Sequence, residues 1–254
     1  MIVAAVLQFL VCFLILLWLL KKKTGEPFSK KYVAKCLIFG ALSATLPFAL
    51  LFALPIDKTA FFGMNPILSG FLTALIMAAL VEEVAKYILF RLAIRKSGEA
   101  RTWLDAILVS VMVAIGFTLL EDLTYLFGGG SILRALLPCH LLFGAFMGYF
   151  YGKARVTKQA KYDVLSLAVP ILAHTLFDMF IIGLMSMVGD PKNITSLTEE
   201  KLNALPYASY LIPMLVCAIA IMILMVIAML LTARKISLWS KNGEKQELLQ
   251  AENI

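Results

Sequence analysis

Seven long apolar stretches dominate the chain and leave it few ways to fold. Crossing a hydrocarbon core of about 30 Å takes roughly 20 apolar residues in a helix, because every backbone polar group must be bonded within the segment. Of the 254 residues, 61% are hydrophobic and 15% are charged, so the polar surface of a water-soluble domain is missing. The predicted spans are 2–20, 33–55, 66–93, 103–127, 132–151, 164–188 and 207–233. We therefore predict an all-α fold, a polytopic transmembrane helix bundle of about seven spans.

Basic residues set the predicted orientation of these spans. The first span is followed by Lys21, Lys22 and Lys23 and has no basic residue before it, the reverse of a cleavable signal peptide. We therefore expect a retained anchor with its amino end outside. Lysine and arginine in short loops stay cytoplasmic, and most of the 23 such residues then fall on that side. The sequence thus predicts a multi-pass protein of the cell membrane, with its N-terminus outside and its C-terminus cytoplasmic.

No polar stretch is long enough for a separate soluble domain. We expect residues 1–254 to form a single integral membrane domain, with 235–254 as a cytoplasmic tail. The net charge of +7 then reflects topology and contact with anionic membrane lipids, and nucleic acid is not implied as a partner. Any chemistry must lie among the helices.

Several ionisable residues lie inside the apolar spans. Each costs roughly 2.5–3.5 kcal/mol at mid-bilayer on insertion scales, so a group of them implies pairing, a water-filled cavity, or both. Both histidines of the chain belong to the group. Its members are Glu82, Glu83, Lys86, Glu121, Asp122, His140, His174 and Asp178.

Helical spacing pairs these side chains. Glu82 and Lys86 are four residues apart and share a face of the third span, while Glu83 is three residues from the same lysine. One lysine can then neutralise one carboxylate and leave the other free to act. The same four-residue spacing stacks two further pairs, Glu121 on Tyr125 and His174 on Asp178.

The predicted depths of these groups are similar. With a rise of about 1.5 Å per residue, Glu82 lies about 18 Å and His140 about 14 Å from the outer edge, and His174 about 16 Å from the inner edge. Glu121 comes out nearer the outer face, so its span must tilt to join them. Pro138 is expected to kink the fifth span and make room for water. Any one pair alone could be a tether between helices, but four helices contributing polar groups at one level favour a functional centre.

The motifs resemble a known protease family. EEVAK at 82–86, the element at 121–125, His140 and HTLFD at 174–178 resemble, in order and spacing, the PrsW family of glutamic-type intramembrane proteases. That family belongs to the wider group of CAAX prenyl proteases and bacteriocin-immunity proteases. The resemblance covers about 70–180, which is the expected catalytic core. It implies site-1 type cleavage of a single-span membrane protein, such as an anti-sigma factor, on the outer side of the membrane.

Peptide hydrolysis needs an activated water, a group that stabilises the oxyanion, and an acid for the leaving amine. We expect Glu82 or Glu83 to act as the general base, with Lys86 tuning the pair. His140 and His174 are expected to hold the water and stabilise the oxyanion. Three further roles are predicted: Glu121 supports or shares the base role, Tyr125 orients Glu121 or donates to substrate, and Asp178 orients His174.

Two alternatives remain open at this point. Two histidines and a glutamate could bind zinc, but no HExxH motif demands it, and the sequence favours a mechanism without a cofactor. A proton- or cation-coupled transporter could use the same carboxylates and histidines as a relay. Transporters of that kind are commonly built from inverted repeats with broken helices, and we find neither pattern in the sequence.

Overall fold

The computed structural model describes residues 2–53, 61, 64–95, 97–127, 138–188, 205 and 207–242. Within these ranges all regular structure is helical and there are no strands, which confirms the predicted all-α fold. We number the helices in chain order: α1 (Ile2–Leu20), α2 (Lys30–Ala53), α3 (Pro66–Ile94), α4 (Trp103–Phe127), α5 (Cys139–Thr157), α6 (Ala160–Val188) and α7 (Leu211–Asn242).

Four helical segments in the described part of the chain are long and apolar enough to cross a membrane. They are Pro66–Ile94, Trp103–Thr124, Ala160–Val188 and Ala208–Lys241. The polytopic class is therefore confirmed, while the count of seven spans stays a prediction. The last helix also continues past residue 233, where the predicted apolar span ends. The lysine and serine residues that follow can form a helix without being apolar.

Pro138 does not kink a helix as expected. It is the residue that precedes the first helical residue of α5, and its ψ of 67° is outside the helical range. A proline at the start of a helix costs little, because the first backbone N–H groups of a helix have no partner within it. The predicted beginning of this span, at 132–137, lies outside the described residues.

Helix α4 forms the centre of the bundle. In its most apolar window 83% of residues are buried, against 11% for the final helix, and its closest packing is against α5 and α2. A continuous core of aliphatic and aromatic side chains surrounds it. The helices that carry the candidate site are thus assembled around a buried rod rather than around a pore.

Glycine spacing explains how closely α5 approaches α4. Gly144, Gly148 and Gly152 recur every four residues and so share one face of α5. A side chain at Gly148 would overlap the backbone of Ala106, one at Gly152 the backbone of Trp103, and one at Gly144 the side chain of Ala114, all on α4. Small residues at this spacing allow helix backbones to touch in membranes. His140 lies four residues before Gly144 and is therefore carried directly against α4.

A bulky residue on this face should separate the two helices. We expect Gly148→Leu to destabilise the protein by about 1–3 kcal/mol, the usual cost of overpacking, or more where the backbone must move. The matched control is Ala220→Leu on the exposed face of α7, where a larger apolar side chain has open space. Thermal unfolding in detergent compares the two, and equal melting temperatures for both variants would contradict this account of the α4–α5 contact.

Helix α3 contains one turn of unusual width. Residues Pro66–Thr73 and Leu80–Ile94 are α-helical, and the six residues Ala74–Ala79 between them form a π-helix. A π turn holds more residues than an α turn, and single π turns inside helices occur often at functional sites. The turn ends immediately before the segment that carries Glu82 and Glu83, so it sets the direction in which both glutamates point.

Candidate active site

One chain of hydrogen bonds joins side chains from four helices. It starts on α4, crosses α5 and α3, and ends on α6. In order, its members are Glu121, His140, Lys86, Glu83, His174 and Asp178. The polar groups that the sequence singles out inside the spans therefore meet in one centre.

Lys86 lies in the middle of this chain and is buried. Its Nζ atom is 2.6 Å from Oε1 of Glu83 and 3.0 Å from Nδ1 of His140. It also lies over the ring of Phe117, 3.9 Å from the centroid. The lysine thus pairs with Glu83 rather than with Glu82. A cation–π contact with Phe117 also stabilises its charge away from water.

The partners of His140 fix its role in the network. An ammonium group can only donate, so Nδ1 of His140 accepts the hydrogen bond from Lys86. The ring proton is then on Nε2, which donates to Oε2 of Glu121 at 2.6 Å. His140 therefore bridges the Glu121 carboxylate and the Lys86 ammonium group, and holds both in place.

Each ring nitrogen of His174 faces a carboxylate. Nδ1 lies 2.9 Å from Oε1 of Glu83, and Nε2 lies 3.1 Å from Oδ2 of Asp178. The ring of Phe143 stacks on the imidazole with centroids 5.0 Å apart and an interplanar angle of 19°. Contacts on both edges and on a face hold this histidine in one orientation.

Glu82 is placed differently from its neighbour Glu83. The Glu83 side chain is fully buried, whereas the Glu82 side chain is 14% exposed. Oε2 of Glu82 is 3.9 Å from Nε2 of His174, beyond hydrogen-bonding distance, and it has no hydrogen-bond partner. Oε2 of Glu83 has none either. Because buried carboxylate oxygens are costly to leave unpaired, these two atoms mark where a further group can bind.

The structure brings together all the predicted site residues whose side chains it describes. Glu121, which the depth estimate placed nearer the outer face, is joined to the others through His140. Tyr125 belongs to α4, but its side chain lies outside the described residues, so its predicted contact with Glu121 stays a prediction.

Two site features are absent from the sequence prediction. Phe117 and Phe143 contact the charged groups directly, although Tyr125 is the one aromatic residue that the sequence predicts at the site. Phe117 is four residues before Glu121, and Phe143 is three residues after His140, so each shares a helix face with a site residue. That spacing could have indicated that both rings lie at the site. The glycines at four-residue intervals in α5 were a second such signal, because they predict the close contact with α4.

The donor groups of the site fit a divalent metal ion. Among the residues that the structure describes, one group of potential ligands meets the geometry: ligand atoms of Glu82, His140 and His174 all lie within 4.8 Å of one another. Two histidines and one glutamate are a set typical of catalytic zinc. Each histidine has a carboxylate partner of the kind that orients metal-bound imidazoles. Both ring nitrogens of each histidine are hydrogen-bonded, so one of them would have to release its partner to bind the ion.

Comparison with known proteins points to one family. A profile described as "PrsW family intramembrane metalloprotease" matches residues 29–229. Three relatives named "Protease PrsW" come from Bacillus subtilis, Halalkalibacterium halodurans and Geobacillus kaustophilus, at 32%, 31% and 31% identity. The alignments cover 47%, 59% and 63% of this chain. No solved structure matches the chain significantly.

The fold and these matches place the protein in a class of polytopic membrane proteins whose named relatives are proteases. Within that class the chain belongs to the PrsW family, since the family profile spans most of its length. The aligned region covers 58% of the Bacillus subtilis relative and 70% of the other two. Together with its long apolar helices, this membership makes it a multi-pass membrane protein.

Proposed function

We propose that the protein is an intramembrane endopeptidase that hydrolyses a peptide bond of a single-span membrane protein by means of a glutamate-activated water. The observation that carries the proposal is the continuous hydrogen-bonded chain from Glu121 to Asp178, with Oε2 of Glu82, which accepts no hydrogen bond from the protein, beside it. Burying so many ionisable groups is costly and contributes little to stability by itself. A chemical task accounts for that cost.

Glu82 is the best-placed group to activate the water. It is the less buried of the two adjacent carboxylates, and its Oε2 atom has no protein partner to compete for a water molecule. A water bound there would also lie near Nε2 of His174, which is 3.9 Å away. Glu82 takes a proton from this water as the oxygen attacks the peptide carbonyl, and the proton then goes to the leaving amine.

The other site residues hold the reacting groups in place. Glu83 fixes both Lys86 and His174 through the same oxygen, Oε1. The imidazole of His174 is thereby held with Nε2 at 3.9 Å from Oε2 of Glu82, and the N–H group there, which bonds Asp178, can also donate to the developing oxyanion. His140 and Glu121 keep Lys86 in position from the other side. These five residues act largely through one another, so their individual effects on rate should not be additive.

A metal-assisted form of the same reaction has specific support. Glu82, His140 and His174 would hold the ion, which would lower the pKa of a bound water and polarise the carbonyl. Glu83, whose Oε2 is also unpaired, is then the carboxylate left beside the water. The excess of carboxylates over lysine in the described site is likewise what a divalent cation would balance.

Chelation separates these two forms. In the metal-free form, cleavage by the purified protein stays within about twofold after treatment with a strong chelator, because no step involves an ion. In the metal-assisted form, cleavage falls at least about 100-fold and zinc restores it. Metal analysis gives an independent readout: the metal-assisted form requires one zinc per wild-type chain and its loss in His174→Ala.

The substrate class and the side of cleavage are proposed from the family resemblance. A single-span membrane protein, such as an anti-sigma factor, presents one helix that can enter from the lipid. With the N-terminus outside and the C-terminus cytoplasmic, residues 66–73 of α3 lie toward the outer face. The proposed cleavage is on that side of the membrane. A cysteine-labelling experiment on intact cells would test the orientation directly.

Reconstitution tests the proposed activity. The purified protein is placed in vesicles with a single-span candidate substrate, and cleavage is compared with that by His174→Ala. We expect defined fragments from wild type and a strongly reduced yield from the variant, because His174 links Glu83 to Asp178. Proton or cation flux across the vesicle membrane without any cleavage would instead favour the transporter interpretation.

A further inference from the structure

An apolar groove lies on the lipid-facing side of the bundle, away from the candidate active site. It lies between α1 and α7, with α4 and α5 at its base, and has a volume of about 350 Å³. We call it the α1–α7 groove. Its lining residues include Trp18 and Leu19 from α1, Ala145 from α5, and Thr232, Ala233 and Ile236 from α7.

We propose that the α1–α7 groove binds an anionic phospholipid, with an acyl chain between the helices and the phosphate at Lys22. This site is independent of the proposed proteolysis.

The size of the groove selects a lipid chain over a helix. A helix with its side chains is about 10–12 Å across, so 350 Å³ holds less than about one turn of it. An acyl chain is far thinner and fits lengthwise. Leu14 and Leu230, which line the groove, are also 55% and 66% exposed, so the groove opens laterally to the surroundings.

The position of the groove argues against a substrate helix. Its lining residues Leu141, Leu142 and Ala145 share one side of α5. His140 lies on the opposite side of that helix, where it bonds Glu121 and Lys86. A helix in the groove would therefore be separated from the site by α5 itself.

Basic side chains stand at one end of the groove. Lys22 lies four residues after Trp18, just past the end of α1, and its Nζ lies 5.2 Å from the centroid of the Trp18 ring. Lys23 is engaged by Asp105, with an Nζ–Oδ2 distance of 3.2 Å. On the other wall, Arg234 and Lys235 are exposed next to the lining residues Ala233 and Ile236. Basic pockets between membrane helices bind anionic headgroups, and a tryptophan beside a lysine is typical of the headgroup level.

Lipid retention by the full chain tests the proposal. The purified protein is exposed to an equal mixture of phosphatidylglycerol and phosphatidylcholine in detergent, washed, and weighed intact by native mass spectrometry. We expect one retained phosphatidylglycerol. Lys22→Gln should lower the preference for phosphatidylglycerol over phosphatidylcholine by about fivefold, because one basic residue near the surface is worth about 1 kcal/mol. The matched control is Lys161→Gln, which also removes a lysine packed on an aromatic ring but lies on α6.

Filling the groove gives a second readout. Ala145→Leu is expected to lose retention of both lipids. Thr232→Leu, on the more exposed α7, takes its place if the first variant folds poorly, and the same loss is expected. Three results would overturn the proposal: no lipid retained by wild type, equal retention of both lipids by wild type, or an equal loss of preference in Lys161→Gln and Lys22→Gln. Displacement of the retained lipid by a leucine-rich single-span peptide would assign the groove to a helix and would also overturn it.

Discussion

Replacing Glu82 by glutamine is expected to lower the rate of substrate cleavage by about 10²–10⁴-fold, the usual contribution of a general base. The amide has nearly the same shape as the carboxylate but cannot take a proton from water. Oε2 of Glu82 has no protein partner, so the substitution breaks no hydrogen bond at this atom, and the fold should persist. The same loss is expected if Glu82 holds a metal ion, because an amide is a poorer ligand.

The matched control for this variant is Glu99→Gln. Glu99 is a carboxylate at the end of the bundle that carries Lys23, where it accepts hydrogen bonds from the backbone and hydroxyl of Ser29. Its substitution should leave the cleavage rate within about twofold, since substitutions away from a functional centre usually change the stability of the fold by no more than about 0.5 kcal/mol. Cleavage is measured from initial rates in vesicles, with melting temperature as a check on folding. Normal cleavage by a folded Glu82→Gln protein would remove Glu82 from the chemistry.

Replacing Lys86 by methionine is expected to be the most destabilising single change at the site. Removing one partner of a buried ion pair costs about 3–5 kcal/mol, because the other charge is left without compensation. Here the abandoned group is Glu83, whose side chain is fully buried and 2.6 Å from the lysine. Unfolding in denaturant measures the effect, with Lys161→Met on the exposed start of α6 as a control that should change stability by less than about 0.5 kcal/mol.

The double variant Glu83→Gln with Lys86→Met separates charge from shape. Neutralising both partners removes the uncompensated charge, so most of the lost stability should return. Cleavage should remain low, since His174 loses one of its two carboxylate partners and His140 loses its lysine donor. A double variant as unstable as Lys86→Met alone would show that packing, rather than the ion pair, explains the cost.

Much of the fold could be predicted because apolar runs and helix lengths are local properties. The predicted spans 2–20 and 103–127 coincide with α1 and α4. Ends outside the membrane were less predictable, because hydropathy records where the lipid ends and not where the helix ends. Helix α6 accordingly begins at Ala160, before the predicted residue 164, and α7 continues to Asn242.

The membership of the site was predictable, but its connections were not. Helical spacing and the cost of buried charge selected the glutamates, histidines and lysine. Spacing allowed either Glu82 or Glu83 to pair with Lys86, and only the packing of α3 against α5 and α6 shows that Glu83 does so. The partners of His140 could not be predicted either, because the depth of a residue in the membrane does not show how its helix is rotated about its own axis.

The π turn at Ala74–Ala79 contains one residue more than regular α-helical geometry would need there. If the chain lost a single residue there, the turn could close to regular α-helical geometry with both flanking segments still facing the same neighbours. The same loss a few residues later would swing everything beyond it by about 100° and turn the carboxylates toward lipid. Variation in chain length between family members should therefore be tolerated within this turn and excluded between it and Lys86.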